Sequence, residues 1–279
     1  MKIVKKEILV ETPDRRIVKM GICAPVVAQK VKPGQFVVVM AHEKGERIPL
    51  TVVESDERTG VVVLIFQEVG LTTRLLGGLN PGDEIYAFIG PLGQPSEMKN
   101  FGRVILVGGG VGIAEIYPVA KGLKKAGNHL TAILGAKSKD CLILENELKE
   151  VCDVLYAATD DGTYGRKAFV TDILRELLEK EEVDYVYCVG PIPMMRIVSL
   201  LAGQKKIRTV ASLNALMVDA TGMCGCCRVT IGGVVKFSCV DGPEFDARLV
   251  DWVELEQRSR MYEASERHIC RLLEMGGPL

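Results

Sequence analysis

Histidine is nearly missing from this chain. Only His42, His129 and His268 occur in 279 residues, and none falls in a catalytic-looking cluster. No triad and no general base is therefore predicted. Long apolar runs are missing too. A secretory signal needs roughly 7–15 consecutive apolar residues and a membrane span about 20. Met1 to Glu7 instead mixes lysines with isolated apolar residues, and no such run occurs further on. The expectation is a cytoplasmic protein with no membrane contact. A charge excess is also lacking: 35 basic against 36 acidic residues leave a net charge of −1. That is no electrostatic footprint for nucleic acid. There is no internal repeat and no low-complexity linker.

What is present is a large apolar fraction, 48%, enough for a sizeable core and two or three domains. Residues 1–98 carry apolar runs at Gln35 to Met40, Gly60 to Phe66 and Glu84 to Ile89. Turn signals separate them at Pro33-Gly34, Arg58-Thr59-Gly60 and Pro81-Gly82-Asp83. The spacing predicts a small antiparallel β-barrel. From Phe101 the texture changes. Strands are predicted at Val104–Val107, Leu130–Leu134, Val154–Ala157 and Tyr185–Val189, with helices over Ala114–Ala126 and Ala168–Lys180. Such alternation predicts a parallel, Rossmann-like α/β domain over 99–208. Beyond Lys206 the alternation is expected to stop. Residues 209–279 are predicted to hold a compact Gly- and Cys-rich segment with a hairpin around Gly232-Gly233. A helical tail over Ala247–Leu273 follows, with Gly276-Gly277 beyond it.

Nine cysteines divide by placement. Cys23, Cys141, Cys152, Cys188 and Cys270 are scattered, mostly in apolar segments, and read as buried free thiols. Cys224, Cys226, Cys227 and Cys239 crowd together, and in a reducing compartment such crowding points to metal or redox chemistry. Plant-type [2Fe–2S] sites use C-x4-C-x2-C with a distant fourth cysteine. This chain has D-x4-C-x2-C-x11-C, with Asp219 in the first place and Cys224, Cys227 and Cys239 after it. An aspartate keeps the thiolate's single negative charge but offers a harder oxygen donor. Gly222 and Gly225 suit a loop that turns backbone N–H groups toward sulfur. Cys226 is the rival fourth ligand. A structural zinc site and unligated thiols remain the other readings.

The string Val107-Gly108-Gly109-Gly110-Val111-Gly112-Ile113-Ala114 follows a strand and opens a helix. Glycines there let a backbone approach a pyrophosphate at a helix N-terminus, although the spacing is not strict G-x-G-x-x-G. A merely tight turn is the alternative. Other strand ends carry Gly135-Ala136-Lys137-Ser138, Thr159-Asp160-Asp161-Gly162 and Gly190-Pro191-Ile192-Pro193-Met194. Ligands of open parallel sheets bind outside such ends, so one shared crevice is expected. Lys137, Ser138 and Lys139 would suit a 2′-phosphate, Asp160 and Asp161 a bare ribose.

In the first segment, Arg47-Ile48-Pro49-Leu50-Thr51 offers an arginine for a pyrophosphate and a hydroxyl for a flavin ring edge. Chemistry alone also allows an ordinary exposed loop. The order of motifs carries more. Pro33 to Phe36, Arg47 to Thr51, Gly70-Leu71-Thr72-Thr73, Gly90-Pro91-Leu92-Gly93, Gly108 to Ala114 and Gly190 to Met194 follow one another as in the ferredoxin–NADP reductase superfamily, which the chain resembles over essentially its full length. The cluster segment narrows the likeness to the branch of dihydroorotate dehydrogenase electron-transfer subunits. Within that branch, Met217-Val218-Asp219 and Thr221 to Gly225 look most similar to the small subunits of electron-bifurcating NADH-dependent reduced ferredoxin:NADP oxidoreductases.

That resemblance implies FAD on the barrel, lined by Arg47, Pro49, Leu50 and Thr51. Ile65, Phe66 and Gln67 would run alongside, and Gly70, Thr72 and Thr73 would lie at the pyrophosphate. It implies NAD(H) over Gly108, Gly109, Gly110, Gly112 and Ala114, near Asp160, Asp161, Gly162, Gly190, Pro191 and Met194. It also supports Asp219 as a cluster ligand and tips cofactor choice toward NAD(H). It further implies a large partner subunit carrying another flavin and more iron–sulfur clusters, in a heterodimer that reaches ferredoxin through that partner. The tail residues Trp252, Met261 and Tyr262 would dock that partner or pack back on their own domain. Two departures stand out. The thiol of Cys188 comes one residue earlier than in the superfamily's Cys-Gly-Pro, which turns it to the other face of a strand. Asp219 replaces the cysteine usual in the dihydroorotate branch. The expected function is hydride exchange between NAD(H) and FAD with single electrons passing through a [2Fe–2S] cluster. The alternatives are the electron-transfer subunit of dihydroorotate dehydrogenase, a stand-alone reductase, or a zinc-stabilised binding module.

Overall fold

The computed structural model describes residues 1–274, so Gly276-Gly277 lies outside the described residues, as does the side chain of Cys270. The first unit is built from β1 (Ile3–Thr12), β2 (Arg15–Cys23), a short helix α1 (Pro25–Ala28), β3 (Phe36–Met40), β4 (Ile48–Asp56), β5 (Val61–Gln67), helix α2 (Leu71–Gly78) and β6 (Ala87–Leu92). The strands form one sheet in the order β1-β2-β5-β4-β3-β6. Its two ends meet. Ile3 donates its N–H to the Asp83 carbonyl, Ile85 donates to Met1, and Lys2 bridges Glu84. Closure removes the exposed edge that an open sheet would present.

Alternation along these strands shows why the runs are apolar. Val18, Met20 and Ile22, Val37 and Val39, and Val62, Leu64 and Phe66 point into the barrel core. The intervening Ile17, Val53 and Ile65 do not meet water. They join a second apolar cluster shared with the next unit, so β5 reads as a continuous apolar run because both its faces are covered. The string from Arg47, which chemistry alone allowed to be a loop, enters β4 at Ile48 and pairs with β3, Thr51 opposite Phe36.

The second unit contains β7 (Arg103–Gly109), α3 (Gly112–Lys125), β8 (His129–Ala136), α4 (Glu145–Val151), β9 (Val154–Thr159), β10 (Arg166–Lys167), α5 (Val170–Lys180), β11 (Tyr185–Val189), α6 (Ile192–Gln204) and β12 (Arg208–Ser212). The apolar stripe Val170, Ile173, Leu174, Leu177 and Leu178 on α5 has the helical spacing that buries one face. The sheet order is β10-β9-β8-β7-β11-β12. The chain therefore moves outward from β7 in one direction and then returns to build from β11 in the other. The switch point lies between β7 and β11, where open α/β sheets bind ligands.

The alternation expected to stop at Lys206 continues through β12, and the sheet goes further. After β13 (Arg228–Ile231), β14 (Val234–Phe237) and the short helix α7 (Ser238–Asp241), strand β15 (Glu244–Asp246) adds antiparallel to β12 as the seventh strand. Three residues are too few to show as periodicity. The predicted hairpin around Gly232-Gly233 is present, and both glycines adopt positive φ. Helices α8 (Trp252–Ser259) and α9 (Glu263–Glu274) follow. Trp252 is buried and donates its indole N–H to the Ala247 carbonyl at 3.0 Å, so this part of the tail packs back on its own unit. Met261 and Tyr262 are exposed. Among the described residues no helix is long and apolar enough to cross a membrane.

Gly112 marks the tightest approach between α3 and β11. A Cβ there would stand 2.7 Å from the Val189 carbonyl oxygen and 3.1 Å from the Gly190 nitrogen, backbone atoms that cannot step aside. Gly112→Ala is expected to cost about 1–3 kcal/mol as overpacking, read as a lower urea midpoint with an unchanged m-value.

Candidate functional site

A cleft of about 1050 Å³ opens between the two sheets. One wall is the barrel. Strand β4 turns Pro49 and Thr51 toward the cleft, Arg47 stands at its entry, and Gln67 closes β5. Leu50 packs against the barrel core instead, and Ile65 and Phe66 are buried in the two apolar clusters behind the wall. Gly70, Thr72 and Thr73 lie at the start of α2, outside the lining. There the Thr73 hydroxyl accepts from the N–H groups of Val69 and Gly70, and Thr72 donates to the Glu46 carboxylate at 2.8 Å. Glu46, next to Arg47, is on the cleft wall.

The opposite wall is the switch point. Gly109, Gly110 and Gly112 line it, with Asp160 from the end of β9 and Gly190 and Pro191 from the end of β11. Gly110 has φ +59 and open space where a Cβ would be, the backbone exposure that a close ligand approach requires. Gly108 is buried under α3, where a Cβ would meet Ile113 and Ile116. Ala114 is buried in the core beside it. Met194 lines a smaller neighbouring cavity of about 340 Å³ together with Gly109, Asp160 and Pro191. Asp161 and Gly162 belong to the turn after β9 but not to the cleft lining. The Asp161 carboxylate accepts from the N–H and the hydroxyl of Thr163, which holds it below its usual range. Of the groups weighed for a ribose or a 2′-phosphate, Asp160 and Lys137 face the cleft. Cys188 is fully buried against α5 and α6 residues, and burial pushes its thiol up.

The third component is the cysteine loop. Cys227 and Cys239 are buried with their sulfurs 3.2 Å apart. Cys224 is exposed and lies beside Asp219. Of these donors, Cys227 and Cys239 form a close pair. Among the described residues no three such groups converge on a single ion. Backbone N–H groups are aimed at the sulfurs, from Cys226 to Cys224 and from Cys239 to Cys227. Gly222 and Gly225, at φ +87 and +67, make the turns that aim them. Paired thiols with N–H groups directed at sulfur suit a two-iron cluster better than one tetrahedral ion. The Asp219 carboxylate is bonded here to Arg47 Nη1, at 2.5 Å, and to the Thr221 hydroxyl. The Cys226 side chain is half-buried, and its carbonyl accepts from Arg258.

This loop lies against the barrel. Ala220, Cys227 and Cys239 pack on Phe36 and Val38 of β3, the strand next to β4. The barrel wall and the glycine turn, far apart in sequence, thus face one cleft, and the cysteine loop packs on the barrel beside it.

Some cleft residues were not expected. Ser212 and the stretch to Val218 form its floor, and Tyr262, Ser265, Glu266 and Ile269 reach it from the tail. Glu115 is the most telling of them. It sits in the first turn of α3 and lines the cleft together with Thr51 and Ser212. Burial, and secondarily the nearby Glu244, push its pKa up to about 7. An acid set between Ala114 and Ile116 in an otherwise apolar helical stripe was the available signal.

Residues 214–251 match the family model for the iron–sulfur cluster binding domain of dihydroorotate dehydrogenase B, and residues 106–200 that of the oxidoreductase NAD-binding domain. The chain is 50% identical over 246 residues to the dihydroorotate dehydrogenase B (NAD(+)) electron transfer subunit homolog of Thermotoga maritima, covering 88% of this chain and 87% of that one. It is 33% identical over 242 residues to the corresponding electron transfer subunit of Geobacillus sp. WCH70, covering 84% and 92%. A solved structure of NADH-dependent reduced ferredoxin-NADP oxidoreductase, described in the context of flavin-based electron bifurcation, superposes with a TM-score of 0.91 at 46% identity, covering 98% and 97%.

The thiols of the loop differ in reactivity. The Cys226 and Asp219 N–H groups hold the exposed Cys224 thiol below its ordinary value, whereas burial and the Cys227 neighbour push Cys239 up to about 12. In the metal-free chain, iodoacetamide at neutral pH is expected to label Cys224 well before Cys239. Peptide mapping by mass spectrometry over time checks the order.

Proposed function

Since the chain belongs to the family of dihydroorotate dehydrogenase B electron-transfer subunits and their homologues, we propose that it is the small subunit of an NADH-dependent reduced ferredoxin:NADP oxidoreductase. It is an oxidoreductase subunit that works with NAD(H), FAD and a [2Fe–2S] cluster. The observation that carries the finer reading is the likeness to that enzyme's structure, which spans barrel, sheet, cysteine loop and tail alike. The segments divide as 1–98 for the flavin, 99–208 for the nicotinamide and 209–279 for the cluster, with β15 lent to the sheet of the second.

Bound in the cleft, the cofactors supply hydride transfer from NADH to the flavin and one-electron passage to the cluster. The chain's residues bind and orient. Arg47 offers its guanidinium to the flavin's phosphates. Pro49, Thr51 and Gln67 face the ring, and Leu50, Ile65 and Phe66 hold that wall from behind. Gly70, Thr72 and Thr73 fix the loop beyond it. Gly109, Gly110 and Gly112 present backbone to the dinucleotide, with Gly108 and Ala114 packing α3 close. Asp160, Gly190, Pro191 and Met194 complete that side, while Asp161 and Gly162 shape the turn that holds Asp160. Asp219, Cys224, Cys227 and Cys239 would hold the cluster, which supplies one-electron passage there. Arg47, bonded to Asp219, ties the barrel wall to the cluster loop. A large partner subunit with its own flavin and iron–sulfur clusters takes the electrons onward to ferredoxin.

The matched cluster-domain model and the names of the relatives favour a second reading, dihydroorotate oxidation with a different partner. The chain purified with the product of its neighbouring gene separates the two. NADH-dependent ferredoxin–NADP exchange without dihydroorotate oxidation is expected, and the opposite result overturns the proposal. The isolated chain is expected to show flavin and iron–sulfur absorbance; a colourless preparation rules out both. Asp219→Cys is expected to shift the cluster's EPR spectrum and reduction potential. If neither moves, Asp219 is not a ligand.

A further inference from the structure

We propose that Arg47 is a positioning residue of the iron–sulfur site: its guanidinium orients the Asp219 carboxylate as a ligand and raises the reduction potential of the cluster that Asp219 helps to hold. The inference rests on the electron-transfer reading above and on Asp219 as a donor within it.

The contact is specific. Arg47 Nη1 donates to Asp219 Oδ1 at 2.5 Å, across 172 positions of sequence. The Thr221 hydroxyl donates to the other oxygen, Oδ2. One bond comes from the barrel and one from the loop itself, so rotation of the carboxylate is restrained from both sides. Each carboxylate oxygen carries two lone pairs, and both bonds therefore leave a site for iron. The two side chains are 44% and 23% exposed, and an ion pair this open to water adds little to stability. What the pair contributes is the placement of Asp219.

Both ends of the pair are anchored to the same strand. Ala220, next to Asp219, is buried at φ +63 and packs on Phe36 and Val38 of β3. Arg47 directly precedes β4, whose first residue, Ile48, pairs with Val39 of β3. Strand β3 thus sets the distance between guanidinium and carboxylate.

Charge gives the direction of the effect. Asp219, Cys224, Cys227 and Cys239 are each monoanionic as ligands, and reduction adds one more negative charge. From Met217 to Cys227 the loop has no basic residue of its own, so a compensating cation has to be brought by the fold. Three arginines reach this loop. Arg228 donates to the Gly225 carbonyl at 3.3 Å and Arg258 to the Cys226 carbonyl at 2.9 Å, both on the backbone. Among the described residues Arg47 is the arginine bonded to a donor side chain. A cation and a hydrogen bond at a ligand both favour the more negative, reduced cluster, and net charge and hydrogen bonding are levers on its potential. The guanidinium stays protonated throughout the working pH range, so this contribution does not titrate.

The holoprotein carrying Arg47→Gln keeps an amide donor and loses the charge. In a redox titration followed by EPR, its ratio of reduced to oxidised cluster at a fixed potential is expected to fall by on the order of tenfold, a midpoint about 59 mV lower for a one-electron couple. Its g values are expected to shift as well. Arg47→Lys keeps the charge without the planar fork and should lower the midpoint less. In an Asp219→Cys background, Arg47→Gln should shift the midpoint less than it does alone, because the contact it removes is already gone. A loaded Arg47→Gln protein with the wild-type midpoint overturns the proposal, as does an equal shift in both backgrounds. A lower flavin content with an unmoved cluster midpoint overturns it too, since Arg47 then serves the flavin's phosphates alone. If Arg47→Gln holds no cluster, Arg47→Lys decides, and a wild-type midpoint with a wild-type EPR spectrum overturns the proposal. Failure of the underlying reading looks different: a wild-type chain without cluster absorbance, or an Asp219→Cys protein whose spectrum and potential do not move.

Discussion

Helix α3 packs against two sheets at once, and the cleft exists because of it. Ile113, Ile116 and Tyr117 share one buried cluster with Val10, Ile17, Val53 and Ile65 of the barrel and with Val104 and Leu106 of the sheet. Burying each large side chain is worth about 1.5–3 kcal/mol, so the junction is a core and not a hinge. The same packing brings the N-terminus of α3 and its glycine turn to face β4. The same turn of α3 brings Glu115 to the cleft wall.

The cysteine loop depends on that junction in turn. Gln94 binds the carbonyls of Gly242 and Val240, and Ser96 binds Glu244, so the barrel's last turn is stitched to the segment that carries Cys239. Ala220, at φ +63, and the glycines around it adopt backbone shapes that aim N–H groups inward. Packing on Phe36 and Val38 then puts the sulfurs next to the wall that carries Thr51. The seating of the cysteine loop beside that wall therefore follows from apolar contacts that themselves carry no charge. Arg47, paired with Asp219, is the charged contact at this seam.

Elements with strong periodicity were legible in the sequence. β11 matches its predicted span, and α5 starts two residues later than expected, because Val170 and Asp172 rather than Ala168 open its hydrogen-bonded turn. Strand β12 was not legible, since Arg208 to Ser212 mixes polar and apolar residues and is recognised only by its pairing with β11 and β15. β4 was ambiguous for a similar reason: Pro49 lies within it, and its apolar residues are divided between two cores. At the site, Arg47, Thr51, the glycine turn and the cysteines were readable as motifs. Glu115 and the Ser212–Val218 floor were not, because each becomes part of the cleft only through contacts with residues distant in sequence.

By itself the sequence determined the donor chemistry: three cysteines and an aspartate at cluster spacing, a glycine turn between strand and helix, and an arginine and a threonine four residues apart. Those are local facts, set by backbone geometry and side-chain type over a few residues. The tertiary structure decided which of them share a space. It paired Cys227 with Cys239, set the cysteine loop against β3 of the barrel, and brought Glu115 into the cleft with Thr51 and Ser212. A shifted proton affinity and a pairing of sulfurs depend on what surrounds a group in three dimensions, and spacing along a chain does not encode that.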